Sequence, residues 1–207
     1  ITKIPSEFLS VAAGDVKVKF KLAAVNRKQS SKNSWSYTND AMKKASTGGI
    51  DATNPSKNLN FWIVNTMPSP QGEILGYATF PESAGLWNDG VVLGRRYVGK
   101  TGASAPFNLG RTATHEIGHY LNLRHIWGDG SGCATDYCDD TPVQPSASTG
   151  DPVYPKYGTC GGVKRSLMFM NYMDYSNDAS LYMFSANQKA RMQATTASNG
   201  PRAGLRS

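Results

Sequence analysis

The stretch from His115 to His125, HEIGHYLNLRH, contains all three histidines of this 207-residue chain and constrains its fold more than any other feature. On a helix, His115 and His119 stand one turn apart on one face, so both imidazoles reach one point. The helix must then end. Asn122 tolerates the left-handed backbone that turns a chain at a helix C-terminus, and the turn brings His125 back to the same point. Three nitrogen ligands, with a fourth place left to water, is the layout of a catalytic zinc rather than a structural one. Glu116, beside the first ligand, can hang next to that water as a base. The bland alternative is a helix with surface histidines. It needs every histidine of the chain to fall at ligand spacing by chance.

These residues resemble the long zinc consensus of the metzincin metallopeptidases, HExxHxxGxxH. Asn171-Tyr172-Met173-Asp174-Tyr175 resembles the methionine turn of that clan, with Met173 placed 48 residues after His125. The wider context is HIWGD after the motif, CDDTP, MNYMDY and MFSANQKARM. It is similar to the pappalysin family, and within it to the ulilysin-like, or cytophagalysin, branch, from about Val16 to about Ala197. One departure is Asn122, where the family has glycine. Asn is the next best residue for that backbone state.

The resemblance implies an α+β metzincin domain spanning residues 1–207. Its upper lobe, to about 127, carries a twisted mixed sheet and the zinc helix. Its lower lobe, about 128–207, is irregular, with the methionine turn and a C-terminal helix. It further implies a secreted zinc endopeptidase that cuts extended polypeptides, with Glu116 activating a zinc-held water. Tyr175, two residues after Met173, would ligate zinc at rest or donate to the oxyanion, and an ordinary buried tyrosine remains the alternative. Met173 would lie under the metal as an apolar floor. The stretch Gly76-Tyr77-Ala78-Thr79 resembles the rim strand that pairs with substrate. A calcium ion is implied in the loop carrying Asp136, Asp139, Asp140 and Thr141, where clustered oxygens suit a hard cation.

The family usually has two disulfides in the lower lobe. Here Cys133 and Cys160 match one bridge, the second is lost at both ends, and Cys138 is extra. A bridge closing a loop of this size contributes about 3 kcal/mol. Specificity stays open between two residues beside the missing cysteine. Arg or Lys is favoured after the cut if Asp178 reaches the pocket, and an apolar residue if Ala179 does.

The net charge of +7 comes from scattered lysines and arginines with no aromatic-interleaved basic stripe, which argues against nucleic acid as a partner. No apolar run approaches a membrane span. The chain begins at Ile1 without a leader, which fits a processed, mature fragment; the resemblance implies a monomer whose precursor carries a signal and a pro-segment.

Along the chain, Val16–Val25 alternates Val, Phe and Leu with Lys, the pattern of a half-buried strand. Thr38–Ser46 reads as a short helix stopped before Gly48-Gly49. Leu59–Thr66 is apolar and uncharged, as in a central strand. Ile74–Phe80 reads as a strand stopped by Pro81, residues 90–98 as another short strand, and about Leu109–Leu121 as the zinc helix. Ser185 and Gln188 form a capping box opening a helix to about Ala197, followed by a frayed tail. Two other functions compete: a metal-binding interaction module, which has no use for Glu116, and a zinc hydrolase of small amides, which has no use for a rim strand.

Overall fold

A computed structural model describes residues 3–206. A short helix α1, Ser6–Leu9, precedes a long irregular N-terminal segment. The alternating Val16–Val25 stretch is not a strand. Lys17 has a φ of 61°, which breaks any extended run at its start. Val16 and Val18 still pack on the core, but Phe20, Leu22 and Val25 are exposed. Alternation specifies a face, and among the described residues no strand pairs with this one.

The expected helix at Thr38–Ser46 is also replaced. Two 3-10 turns, Ala41–Lys43 and Ala45–Thr47, are split by extended Lys44. Tertiary contacts override helix propensity here. Lys43 is fully buried, with its Nζ donating to Asn88 O at 2.8 Å and lying 3.0 Å from Asp40 Oδ1.

The sheet above the site has three strands. They are β1 (Phe61–Val64), β4 (Gly76–Ala78) and β5 (Val91–Gly94), in the order β1-β5-β4. Strands β2 (Pro68–Ser69) and β3 (Gly72–Glu73) form a small separate hairpin. β5 is the central strand, buried along its length, parallel to β1 and antiparallel to β4. The expectation of a central strand at Leu59–Thr66 is therefore corrected. β1 is an outer strand in this sheet, and it alternates exposed Phe61 and Ile63 with buried Trp62 and Val64. Pro81 does end the β4 segment, by opening a 3-10 turn.

Helix α2 runs from Arg111 to Tyr120 and packs on β4 and β5. Its exit is the predicted one: Asn122 has a φ of 76°. Helix α3, Ala186–Thr195, holds that turn, because Arg191 Nε donates to Asn122 O at 2.6 Å and Thr195 Oγ1 donates to Leu121 O at 3.0 Å. The Ser185–Gln188 capping box is present at the start of α3.

Beyond α2 the chain is mostly loop. Strands β6 (Thr149–Gly150) and β9 (Tyr175–Ser176) pair parallel, and β7 (Tyr157–Cys160) and β8 (Val163–Ser166) form a hairpin. Cys133 and Cys160 are bridged, as the resemblance implied, and Cys138 is free and buried. The tail is not frayed. Arg202 is 3% exposed, bonded to Asp89 by two nitrogens and to Tyr120 O at 2.8 Å. Among the described residues no helix is long and apolar enough to cross a membrane.

Candidate metal centre

His115, Glu116 and His119 are buried on α2, with Glu116 turned towards Gly76 of β4 and His115 towards Tyr172 of the 170s loop. The turn at Asn122 returns the chain so that His125 joins them. The three Nε2 atoms form a triangle with sides of 3.1, 3.1 and 3.2 Å.

These approaches are not hydrogen bonds, and the outer nitrogens show why. His115 Nδ1 lies 2.7 Å from Tyr172 O and His119 Nδ1 lies 2.7 Å from Leu123 O. His125 Nδ1 meets the Asp129 carboxylate. Carbonyls and carboxylates only accept, so each Nδ1 carries the proton. Three bare Nε2 lone pairs therefore face one another. A cation between them is what resolves that repulsion. A tetrahedral zinc with ligands at about 2.0–2.1 Å sets its nitrogens about 3.3 Å apart, close to the spacing found. Among the described residues this trio is the one cluster of three or more His, Cys, Asp or Glu ligands.

Electrostatics agree with a donor set kept neutral for a metal. Burial holds the His115 ring well below the usual imidazole range, and the other two histidines push it the same way. Burial, His119 and Arg124 bring His125 down to about 3. Burial alone pushes the Glu116 carboxyl up to about 8. A dication held by the three histidines would oppose that shift and favour the ionised group.

The floor and walls are equally specific. Met173 is fully buried below α2, where a Cβ at Gly118 would collide with its Sδ. Ile126 N donates to Met173 O at 3.2 Å, tying the last ligand's neighbour to the turn. Trp127 stacks on His125 at 4.3 Å and 7°. Tyr175 packs its ring 5.6 Å from His115 and 4.9 Å from His125 while staying 48% exposed, so it is not the buried core tyrosine of the alternative reading. Asp129, Trp127 and Phe80 were missed as site residues in the sequence. For Asp129 a signal existed, an acid four residues after a ligand.

Strand β4 is the stretch expected to form the rim. Its register with β5 is Gly76↔Leu93, Tyr77↔Val92 and Ala78↔Val91, and among the described residues its other edge is unpaired. Tyr77 Oη donates to Asp40 Oδ1, and Thr79 Oγ1 donates to Asp89 Oδ1 at 2.7 Å.

The acidic loop residues do not converge. Asp136 accepts from Thr141 Oγ1 at 2.8 Å and from Cys138 N at 3.0 Å. Both oxygens of Asp140 are taken by the start of α3, from Ser185 Oγ at 2.6 Å and Asn187 N at 2.8 Å. Asp139 is exposed. Asp178 is buried under the start of α2, its Oδ2 accepting from Leu109 N at 2.7 Å and Arg111 N at 3.1 Å. Ala179 is exposed.

Comparison with known proteins follows the same lines. A family model described as peptidase M43, pregnancy-associated plasma protein-A, matches residues 39–197. An extracellular metalloprotease of Pyricularia oryzae is 38% identical over 141 residues, 67% of this chain and 48% of that protein. One from Verticillium alfalfae is 35% identical over 183 residues, 86% of this chain and 61% of that protein. The chain thus spans between about half and three fifths of the length of these relatives. Among solved structures, mirolysin in complex with a compound superimposes with a TM-score of 0.89 at 37% identity, covering 97% of this chain and 79% of that one. Mature mirolysin of Tannerella forsythia with a cleaved peptide also gives 0.89, at 36% identity over 97% of this chain and 78% of that one.

Proposed function

The chain belongs to the M43, or pappalysin, family of metallopeptidases with a metzincin fold of the ulilysin-like kind, and on that premise we propose that it is a secreted zinc endopeptidase acting on extended polypeptides. The observation that carries this reading is the convergence of three unprotonated Nε2 atoms beside the buried Glu116 carboxyl, under an unpaired strand edge. His115, His119 and His125 hold the zinc. When bound, zinc supplies Lewis acidity towards a water and a scissile carbonyl.

The chain's own groups do the rest. The free N–H and C=O groups of β4 hold the substrate backbone as an added strand. Glu116 takes a proton from the attacking water on a carboxylate oxygen and passes it to the departing amine. The Tyr175 hydroxyl, protonated at neutral pH, donates to the carbonyl oxygen as negative charge develops there. Gly118 and Met173 keep the helix seated so that these atoms stay in register.

Arg or Lys after the cut fits Asp178 better than an apolar preference fits exposed Ala179. One Asp178 oxygen is fixed by α2, and the other makes no hydrogen bond among the described residues. Calcium in the 136–141 loop rests on the family resemblance alone, because Asp136 and Thr141 are bonded to each other and Asp140 is engaged by α3. Relatives named extracellular metalloproteases support secretion, and the solved promirolysin mutant supports a precursor with a pro-segment.

The test is digestion of an unfolded protein by the wild type and by Glu116→Ala, each with and without a zinc chelator, read by mass spectrometry. Peptides formed only with both Glu116 and metal establish the peptidase. Their new termini report the residue after the cut, and an unchanged profile in Asp178→Asn sinks the acidic pocket.

A further inference from the structure

Arg124 lies next to His125 and turns towards Phe80. Its guanidinium carbon is 4.4 Å from the centroid of the Phe80 ring. The Phe80 ring in turn is 5.3 Å from the His119 ring. Phe80 comes two residues after the end of β4. One aromatic ring therefore separates a fixed cation from a metal ligand, at the Ala78 end of the rim strand.

This cation is held but not spent. Stacking on an aromatic face fixes the plane of a guanidinium without using its N–H donors. Its ionic neighbour is Asp129 Oδ2, at 3.9 Å, with the two side chains 38% and 36% exposed. The other Asp129 oxygen is committed to His125. Arg202 is the contrast, with every nitrogen bonded to Asp89 or to the carbonyls of Tyr120, Thr79 and Phe80. Nothing comparable consumes Arg124 among the described residues.

We infer that Arg124 and Phe80 form a substrate subsite for an acidic side chain close to the scissile bond. The inference rests on the peptidase reading and adds a second specificity element to it. The planar fork of Arg124 accepts a carboxylate through two parallel bonds. Phe80 gives the methylenes of that side chain an apolar surface. The net charge of +7 favours the approach of acidic segments to the whole molecule.

The experiment uses zinc-loaded enzyme and an extended peptide that carries one Arg as the residue after the cut and is otherwise uncharged, in which one Asp is moved residue by residue, each peptide with an Asn twin. In the wild type, one position favours Asp over Asn by about tenfold in kcat/KM, the difference a charge-assisted contact gives. The ratio falls to about one in Arg124→Gln and is intermediate in Arg124→Lys, which keeps the charge but not the fork. A binding arm uses Glu116→Ala. There the Asp peptide binds more tightly than its twin, and adding Arg124→Gln abolishes the difference. A preference that survives Arg124→Gln, or no Asp preference at any position, overturns the subsite. If the wild type cuts none of the peptides, the peptidase reading fails, and the binding arm alone decides the subsite.

Discussion

Gly76 faces Glu116 directly: a Cβ at Gly76 would lie 3.0 Å from Glu116 Cγ and would also overlap the Leu93 side chain. Strand β4 passes this close to Glu116 because it has no side chain at that point. Gly76→Ala must push the carboxylate or the strand aside. Misplacing a catalytic group by an ångström lowers kcat/KM on the order of 100-fold, while overpacking costs about 1–3 kcal/mol of stability. Bound zinc should be unchanged, because no ligand is touched. Activity within twofold of wild type would show that Glu116 does not depend on this gap.

Asp129 orients His125 through Nδ1, and it is the one ligand support supplied by a side chain; His115 and His119 lean on backbone carbonyls. Loss of such a partner weakens metal affinity about 10–100-fold. Asp129→Ala should show that loss in a competition titration with a zinc indicator. Asp129→Asn, which can still accept, should fall between the two. Equal affinity in all three proteins would remove Asp129 from the centre.

How much of this was legible depended on whether the signal was local. Helix α2, its exit at Asn122 and the capping box at Ser185 are set by residues within a few positions of each other, and all three appear as read. The Val16–Val25 alternation was equally clear but insufficient, since a strand also needs a partner that its own sequence does not name. Lys43 failed as a helix residue because Asn88, 45 residues away, draws it inside. Arg202 was read as frayed tail for the same reason: its partner Asp89 is 113 residues distant. The donor set was legible because its spacing is itself the chemistry. Phe80 and Arg124 carried no signal until the fold stacked them.

Cys138 tests the lower lobe. It is buried, and burial together with Asp136 pushes its thiol up to about 12. A thiol that neither ionises nor meets solvent does not react. Iodoacetamide at neutral pH should leave the native protein unmodified. In denaturant without reductant it should add one label, at Cys138, because Cys133 and Cys160 are bridged. Two or three labels would contradict the bridge, and a native label would contradict the burial.

Asp136 decides the calcium question through pH. Burial raises its carboxyl from 3.8 to about 6, against the hydrogen bonds from Thr141 and Cys138 that favour the ionised form. The folded state thus holds this proton more tightly than the unfolded one. Its contribution to stability is complete below about pH 4 and is lost as pH rises to about 6. An ionised, buried carboxylate then burdens the fold at neutral pH unless a cation meets it. In calcium-free buffer with zinc present, Asp136→Asn should gain on wild type in melting temperature between about pH 4 and 6, and level off above that. Added calcium should close the gap at neutral pH by raising wild type alone, because the amide supplies no charge for the cation. If wild type melts at the same temperature with and without calcium while the variant remains the more stable, the loop carries an uncompensated acid and no calcium site.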